Sequence, residues 1–216
     1  MIRPDAVNFV AIFLVVVLIA SMLSDNFLTF TNIANLFQQA AVVGVVAVGM
    51  TFVILTGNID LSVGSVVAFC GMLVAVLLAA AIDPVLAVLA TLVVGAFFGM
   101  VMGAITAIAA VPSFIVTLAG LVSFRGLTYL LTDGVPVSGL PSGFAAISST
   151  MIPLLPGFNM SSMVLIFILL CVVATLVLRY TVLGEYVYAT GGNPEAARLA
   201  GLPTRRIIVA VFGISG

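Results

Sequence analysis

Between Asp83 and Arg125, and again between Asp133 and Arg179, the sequence carries no charged side chain, and those gaps are filled mostly by Val, Leu, Ile, Ala, Phe and Met. A helix that spans a membrane needs roughly 20 predominantly apolar residues. It must also satisfy its own backbone, because hydrocarbon offers no water to do so. Runs of this length and composition predict an all-α, polytopic helical membrane protein. Composition agrees: 64% of residues are hydrophobic and 6% charged, against about a quarter charged in soluble domains.

The charge that remains excludes several functions. Six arginines and seven acidic residues give a formal net charge of -1, with no lysine and no histidine. No basic patch is present to neutralise a phosphate backbone, so no nucleic acid is expected as a partner. Without histidine the chain lacks the commonest transition-metal ligand and general base, so neither a metal nor a Ser-His dyad is expected. No cofactor is expected. Cys70 and Cys171 each sit inside an apolar run, where a thiol packs as a small apolar group, so they imply no disulfide framework.

The first apolar run, Val7 to Leu23, is longer than a typical signal-peptide core and is followed by no small-x-small cleavage pattern, which favours a membrane helix. A second helix is predicted from about Ile33, capped by Thr31 or Asn32, to Leu55, closing near Gly57. A third runs from Val63 to Ile82, a fourth from Val85 to Ala110, and a fifth from Phe114 to Leu131, with Pro84 and Pro112 at the breaks. Thr132 to Met160 is rich in Gly, Pro, Ser and Asn and reads as a long external or re-entrant connection. A sixth helix spans Ser161 to Leu178, a polar segment runs from Arg179 to Arg206, and Ile207 to Gly216 is about half of a seventh crossing. The expectation is one transmembrane domain over 1–216, with six complete helices, a seventh started and the C-terminal part missing.

Cytoplasmic loops retain positive charge. Six crossings with the N-terminus inside put Arg3, Arg179, Arg198, Arg205 and Arg206 on the cytoplasmic side and leave the external loops without arginine. The remaining one, Arg125, falls within the fifth helix, roughly 9 Å from its outer end at 1.5 Å per residue, where it can snorkel or pair inside the bundle.

Within the cytoplasmic segment 179–206, Asn193 is placed to cap a helix whose first residue is Pro194. Glu195 complements the positive helix end, and Gly201 with Pro203 stops it. Asn193, Pro194, Glu195, Ala196, Ala197, Arg198, Leu199 and Gly201 therefore form a short, sharply bounded element. A helix lying on the membrane surface is the alternative. Such a helix binds through a broad apolar face, and here Leu199 is the only large apolar side chain. A rigid handle gripped by another protein fits better.

Glu195-Ala196-Ala197-x-x-x-Gly201 resembles the EAA loop of permease subunits of ATP-binding-cassette importers. Ala47 to Thr51, Gly57-Asn58-Ile59-Asp60-Leu61-Ser62-Val63-Gly64-Ser65, Leu131 to Pro141 and Leu183 to Asn193 resemble, in order and spacing, the ribose and xylose type of monosaccharide permease. One departure is Glu185, where family members usually carry a basic residue. Family members also continue with further helices beyond this point, so this chain looks like the N-terminal two-thirds, a piece not expected to transport by itself. The resemblance implies a permease in the bacterial inner membrane that is not itself an enzyme. Its implied partners are a cytoplasmic ATP-binding subunit gripping the 193–201 helix, a second permease subunit, identical or related, and a periplasmic sugar-binding protein, all held in membrane lipid. In agreement, no Gly-Lys-Ser or Gly-Lys-Thr phosphate loop is present.

A second candidate site is Asn58, Asp60 and Ser62. Asp60 or Ser62 can cap the third helix, and a polar, broken backbone at a helix junction can also border a sugar path; both can hold at once. Asn32, Asn35 and Gln39 share one face of the second helix, with Gln38 beside them. Amides there are expected to face the bundle or a water path, for inter-helix bonding or for a sugar. Gly95, Gly99 and Gly103 form a small-x-x-x-small packing seam. Two other transporter readings are open. A branched-chain amino acid permease shares the general plan, though the Ile-Asp-Leu-Ser block and the Gly-Gly-Asn junction favour sugar. An ion-coupled secondary transporter would show ionisable groups in mid-membrane, and only Arg125 offers one.

Overall fold

The structure, a computed structural model, describes residues 4–141, 143–144, 150–155 and 158–216; Arg3, used above for orientation, lies outside them. In chain order the elements are α1 (Pro4–Leu23), α2 (Phe30–Leu55), α3 (Val63–Ala79), α4 (Pro84–Ile108), α5 (Ser113–Thr132), β1 (Met151–Leu155), β2 (Phe158–Ser161), α6 (Ser162–Tyr180), α7 (Val182–Gly192), α8 (Pro194–Leu199) and α9 (Thr204–Ser215). α2, α4, α5 and α6 are long and apolar enough to cross a membrane, whereas Asn8–Leu23 and Val63–Ala79 are apolar but shorter. Among the described residues four helices thus meet the length requirement, against the six complete crossings expected.

Local chemistry sets the boundaries. The Asp83 carboxylate accepts from the backbone N–H groups of Val85 (2.9 Å) and Leu86 (3.3 Å), and Pro84 starts α4 where its missing N–H is not needed. α2 begins three residues earlier than expected. Its cap is Thr29, whose hydroxyl accepts from Asn32 N–H at 3.3 Å, while the Asn32 amide turns back to donate to the Phe27 carbonyl at 2.7 Å. α3 and α4 stop short of Ile82 and Ala110 because Ala81 (φ 58°) and Ala110 (φ 55°) take the left-handed conformation that usually falls to glycine. The connection after α5 also holds an antiparallel hairpin pairing Met151 with Ser161 and Ile152 with Met160, a piece of strand in an otherwise helical chain.

The core joins α2, α7 and α9: Phe52, Val53, Val187, Ile207, Val211 and Phe212 are all buried. Lipid is as apolar as these side chains, so close packing rather than exclusion of water holds such a core in a membrane. The glycine seam supplies that closeness. An added Cβ on Gly99 would strike the Phe212 carbonyl oxygen, one on Gly95 the Gly216 carbonyl oxygen, and one on Gly103 would sit 2.8 Å from Phe212 Cβ. α9, the last apolar run, is therefore laid antiparallel along α4. Most of α1 from residue 8 onward is exposed, including Phe9, Phe13 and Leu23.

Candidate functional site

At one end of the bundle the short helix α8 presents one exposed face, with Ala197 buried against the chain. The Asn193 side-chain oxygen accepts from Glu195 N–H (3.1 Å) and Ala196 N–H (2.9 Å), the cap expected from the sequence. At the other end Gly201 N–H donates to the Arg198 carbonyl and Leu202 N–H to the Ala197 carbonyl, each at 3.0 Å, with Gly201 at φ 83°. These paired bonds with a left-handed residue are the physical form of a hard stop. Ala197 is buried beneath the helix, while Glu195, Ala196, Arg198 and Leu199 are exposed, Leu199 at 80%. The surface offered is small, convex, flanked by one acid and one base, and rigid at both ends.

α8 rests on α7. Val187 and Thr190 on α7 are fully buried, and Gly191 lies so close to the end of α2 that an added Cβ would collide with the Leu55 carbonyl oxygen. Leu55 leads directly into the second candidate site. Gly57 turns the chain at φ 77°. The Asn58 amide donates to the Thr56 hydroxyl oxygen at 3.0 Å, and the Thr56 hydroxyl donates to the Val53 carbonyl at 2.7 Å. One oxygen of the Asp60 carboxylate accepts from Ser62 N–H (2.8 Å) and from the Ser62 hydroxyl (2.6 Å). Asp60 and Ser62 are both buried. Neither side chain caps α3, contrary to the expectation. Ser62 holds the cap position without a side-chain cap bond, because its hydroxyl is spent on Asp60. Asp60 is thus an internal brace of the turn.

Two residues that sequence reasoning did not single out anchor this turn from α5. The Ser113 hydroxyl accepts from Ile59 N–H at 3.1 Å, and the Thr117 hydroxyl reaches the Ile59 carbonyl at 3.4 Å while also donating to the Ser113 carbonyl at 2.9 Å. Their i, i+4 spacing on a helix start was a signal that both face one neighbour. Thr190 was also missed; among the described residues its hydroxyl is buried with no hydrogen-bond partner. α8, the last turn of α7, the 57–62 turn and the start of α5 therefore form one contiguous block.

The amide group lies elsewhere. Asn35 and Gln39 are exposed and Gln38 is half-buried near the start of α2, with Asn35 bordering a shallow pocket shared with Phe30, Thr31, Ala34 and the hairpin residues Met151 and Asn159. Some 24 Å of helix, at 1.5 Å per residue, separates Gln39 from Leu55. The candidate path residues thus fall into two groups at opposite ends of α2 rather than into one site. Glu185 borders a further cavity with Thr175, Leu178, Arg179 and Tyr188, beside which the Arg179 guanidinium lies 5.6 Å from the Tyr180 ring.

Comparison with known proteins places this geometry. Residues 32–216 match the model of a family described as "Branched-chain amino acid transport system / permease component". The chain is 36% identical to the ribose import permease protein RbsC of Haemophilus influenzae over 97% of this chain and 64% of that protein. It is 40% identical to the RbsC of Bacillus subtilis over 94% and 62%, and 37% identical to the L-arabinose ABC transporter permease protein AraH of Azospirillum brasilense over 96% and 60%. The chain thus spans somewhat less than two thirds of the length of these relatives. No solved structure matches it. A family match that starts at α2 and takes in the glycine seam, the braced turn and the handle settles the family: the chain belongs to these permease components of membrane transport systems.

Proposed function

We propose that this chain is the membrane permease of a bacterial ATP-binding-cassette importer that translocates a monosaccharide delivered by a periplasmic binding protein. The observation that carries the reading is α8: an exposed helix with defined ends, seated through α7 on the membrane helices, has the form of a handle for another protein. Relatives named as a ribose import permease and an L-arabinose ABC transporter permease support a sugar as cargo. The permease does no chemistry of its own; ATP hydrolysis belongs to a cytoplasmic ATP-binding subunit. Two such subunits act on a pair of permeases, identical or related, in the inner membrane.

In this reading the N-terminus and 179–206 face the cytoplasm and the hairpin faces the periplasm. This is supported by the geometry of the ends. The 57–62 turn, the start of α5 and α8 lie together, with Arg179, Arg198, Arg205 and Arg206 close by in sequence, as the positive-inside rule requires. Movement of the handle, driven by closure of the ATPase pair, tilts the helices joined to it and alternates access to the path.

The test is a pull-down from detergent-solubilised membranes, with the wild-type permease compared against a deletion of Asn193–Leu202. An ATPase subunit recovered with wild type and lost with the deletion is the expected result; no ATPase in either sample overturns the reading. Uptake of labelled ribose against labelled leucine then separates a sugar permease from an amino acid permease.

A further inference from the structure

α5 carries one charged side chain, Arg125, about 10 Å before its end at Thr132. It is exposed, and no ion pair or hydrogen bond to it is found among the described residues. A guanidinium in a spanning helix is retained where it faces water, a partner or a cavity, because facing lipid is costly. Here it borders an open groove. The groove, of about 300 Å³, lies between Ala68 and Met72 of α3 and Arg125, Thr128, Tyr129 and Thr132 of α5, a size at the lower edge of small-molecule sites.

The walls have a division of labour. Arg125 brings a planar fork of N–H donors. The Thr128 hydroxyl donates its proton to the Phe124 carbonyl at 2.7 Å, leaving its oxygen as an acceptor toward the groove. The Tyr129 ring is fixed from behind. Asp133 and Gly134 both take left-handed conformations (φ 50° and 74°), folding the chain against the ring so closely that a Cβ on Gly134 would stand 2.5 Å from Tyr129 Cε2. A donor fork, a hydroxyl acceptor and a held aromatic face, rimmed by Ala68 and Met72, match a ligand with vicinal hydroxyls on an apolar C–H face. An anion fits less well. The carbonyl end of α5 points at the groove and carries partial negative charge, and no second cation lines it.

We propose that Arg125, Thr128 and Tyr129 form a subsite for a neutral polyol in the outer half of the translocation path, where the cargo sugar pauses after leaving its binding protein. The inference rests on the importer reading. It is tested in proteoliposomes holding the permease, its ATPase and its binding protein, with labelled ribose, arabinose and xylose as probes. R125L is expected to lower uptake of the transported sugar at least tenfold. Y129L and T128V should raise the concentration for half-maximal uptake severalfold, and R125K should restore only part of the R125L loss, a lysine having no planar fork. Co-purification of the ATPase checks folding of each variant. If R125L does not fold, T128V and Y129L decide alone. Wild-type uptake kinetics in the folded variants overturn the subsite. So does a defect present in vesicles with anionic lipid and absent in zwitterionic vesicles, which would assign Arg125 to a lipid headgroup. A wild-type complex that binds its ATPase yet takes up none of the three sugars overturns the sugar reading and the subsite together, a result distinct from failure of the variants alone.

Discussion

Asp60 shows how much one acceptor can hold in a buried turn. Its carboxylate, at 4% exposure, is the partner of two Ser62 donors. D60A leaves both donors buried and unmet, at a cost of about 1–3 kcal/mol, whereas D60N keeps an acceptor oxygen. The thermal midpoint of the solubilised permease is expected to fall clearly for D60A and little for D60N; equal shifts would show that charge, not the acceptor, holds the turn. Gly201 is the converse case, since a Cβ there meets nothing within 4 Å and only its φ of 83° resists a side chain. G201V therefore costs roughly 1–2 kcal/mol of local backbone strain and distorts the handle alone. In the proposed importer, ATP hydrolysis is expected to continue while uptake is lost, and unchanged uptake would move the handle elsewhere. The cap at Asn193 was legible because its partners are its own neighbours. Asp60 bonding Ser62 instead of capping α3 was not, since that choice depends on a turn whose shape is set by Ser113 and Thr117, more than fifty residues away.

Helices that carry strong local punctuation were read close to their true ends. α4 starts at Pro84 behind the Asp83 cap, and α5 starts within one residue of the prediction because Pro112 precedes it. Ends made by alanine at positive φ, at Ala81 and Ala110, gave no such sign and were overrun. The hairpin was missed because four prolines from Pro136 to Pro156 argue for loop, while Pro153 is tolerated in a two-stranded ribbon that has only edges. The seam on α4 was visible as a four-residue glycine repeat, but its partner, α9, lies too far along the chain for spacing to identify. The seam makes a clean prediction. G99V drives a side chain into the Phe212 carbonyl, whereas G126V on α5 meets nothing within 4 Å. G99V is expected to destabilise by about 1–3 kcal/mol or to displace α9, with G126V neutral in the same thermal melt. Equal melting of the two would deny that α9 seats on α4.

For the whole molecule, the apolar runs were enough to anticipate an all-α, multi-pass helical chain. What they could not supply was which ends meet. The contacts of Ile59 with Ser113 and of Gly191 with Leu55 gather one set of ends, and the pocket between Asn35 and Asn159 gathers the other. With Cys70 and Cys171 replaced, a cysteine at 199 should react with a membrane-impermeant maleimide only in inside-out vesicles, and one at 159 only in right-side-out cells. Labelling of both from one side would break the proposed topology.

The seating of Gly191 on Leu55 has a mechanical meaning. With no side chain between α7 and α2, the joint has no slack, and a displacement of the handle reaches the 57–62 turn without first taking up play. Such a joint transmits in proportion to the stroke rather than at a threshold. In the proposed importer, the stiffness of one glycine contact would then set how finely the opening of the membrane end follows the ATPase beneath it.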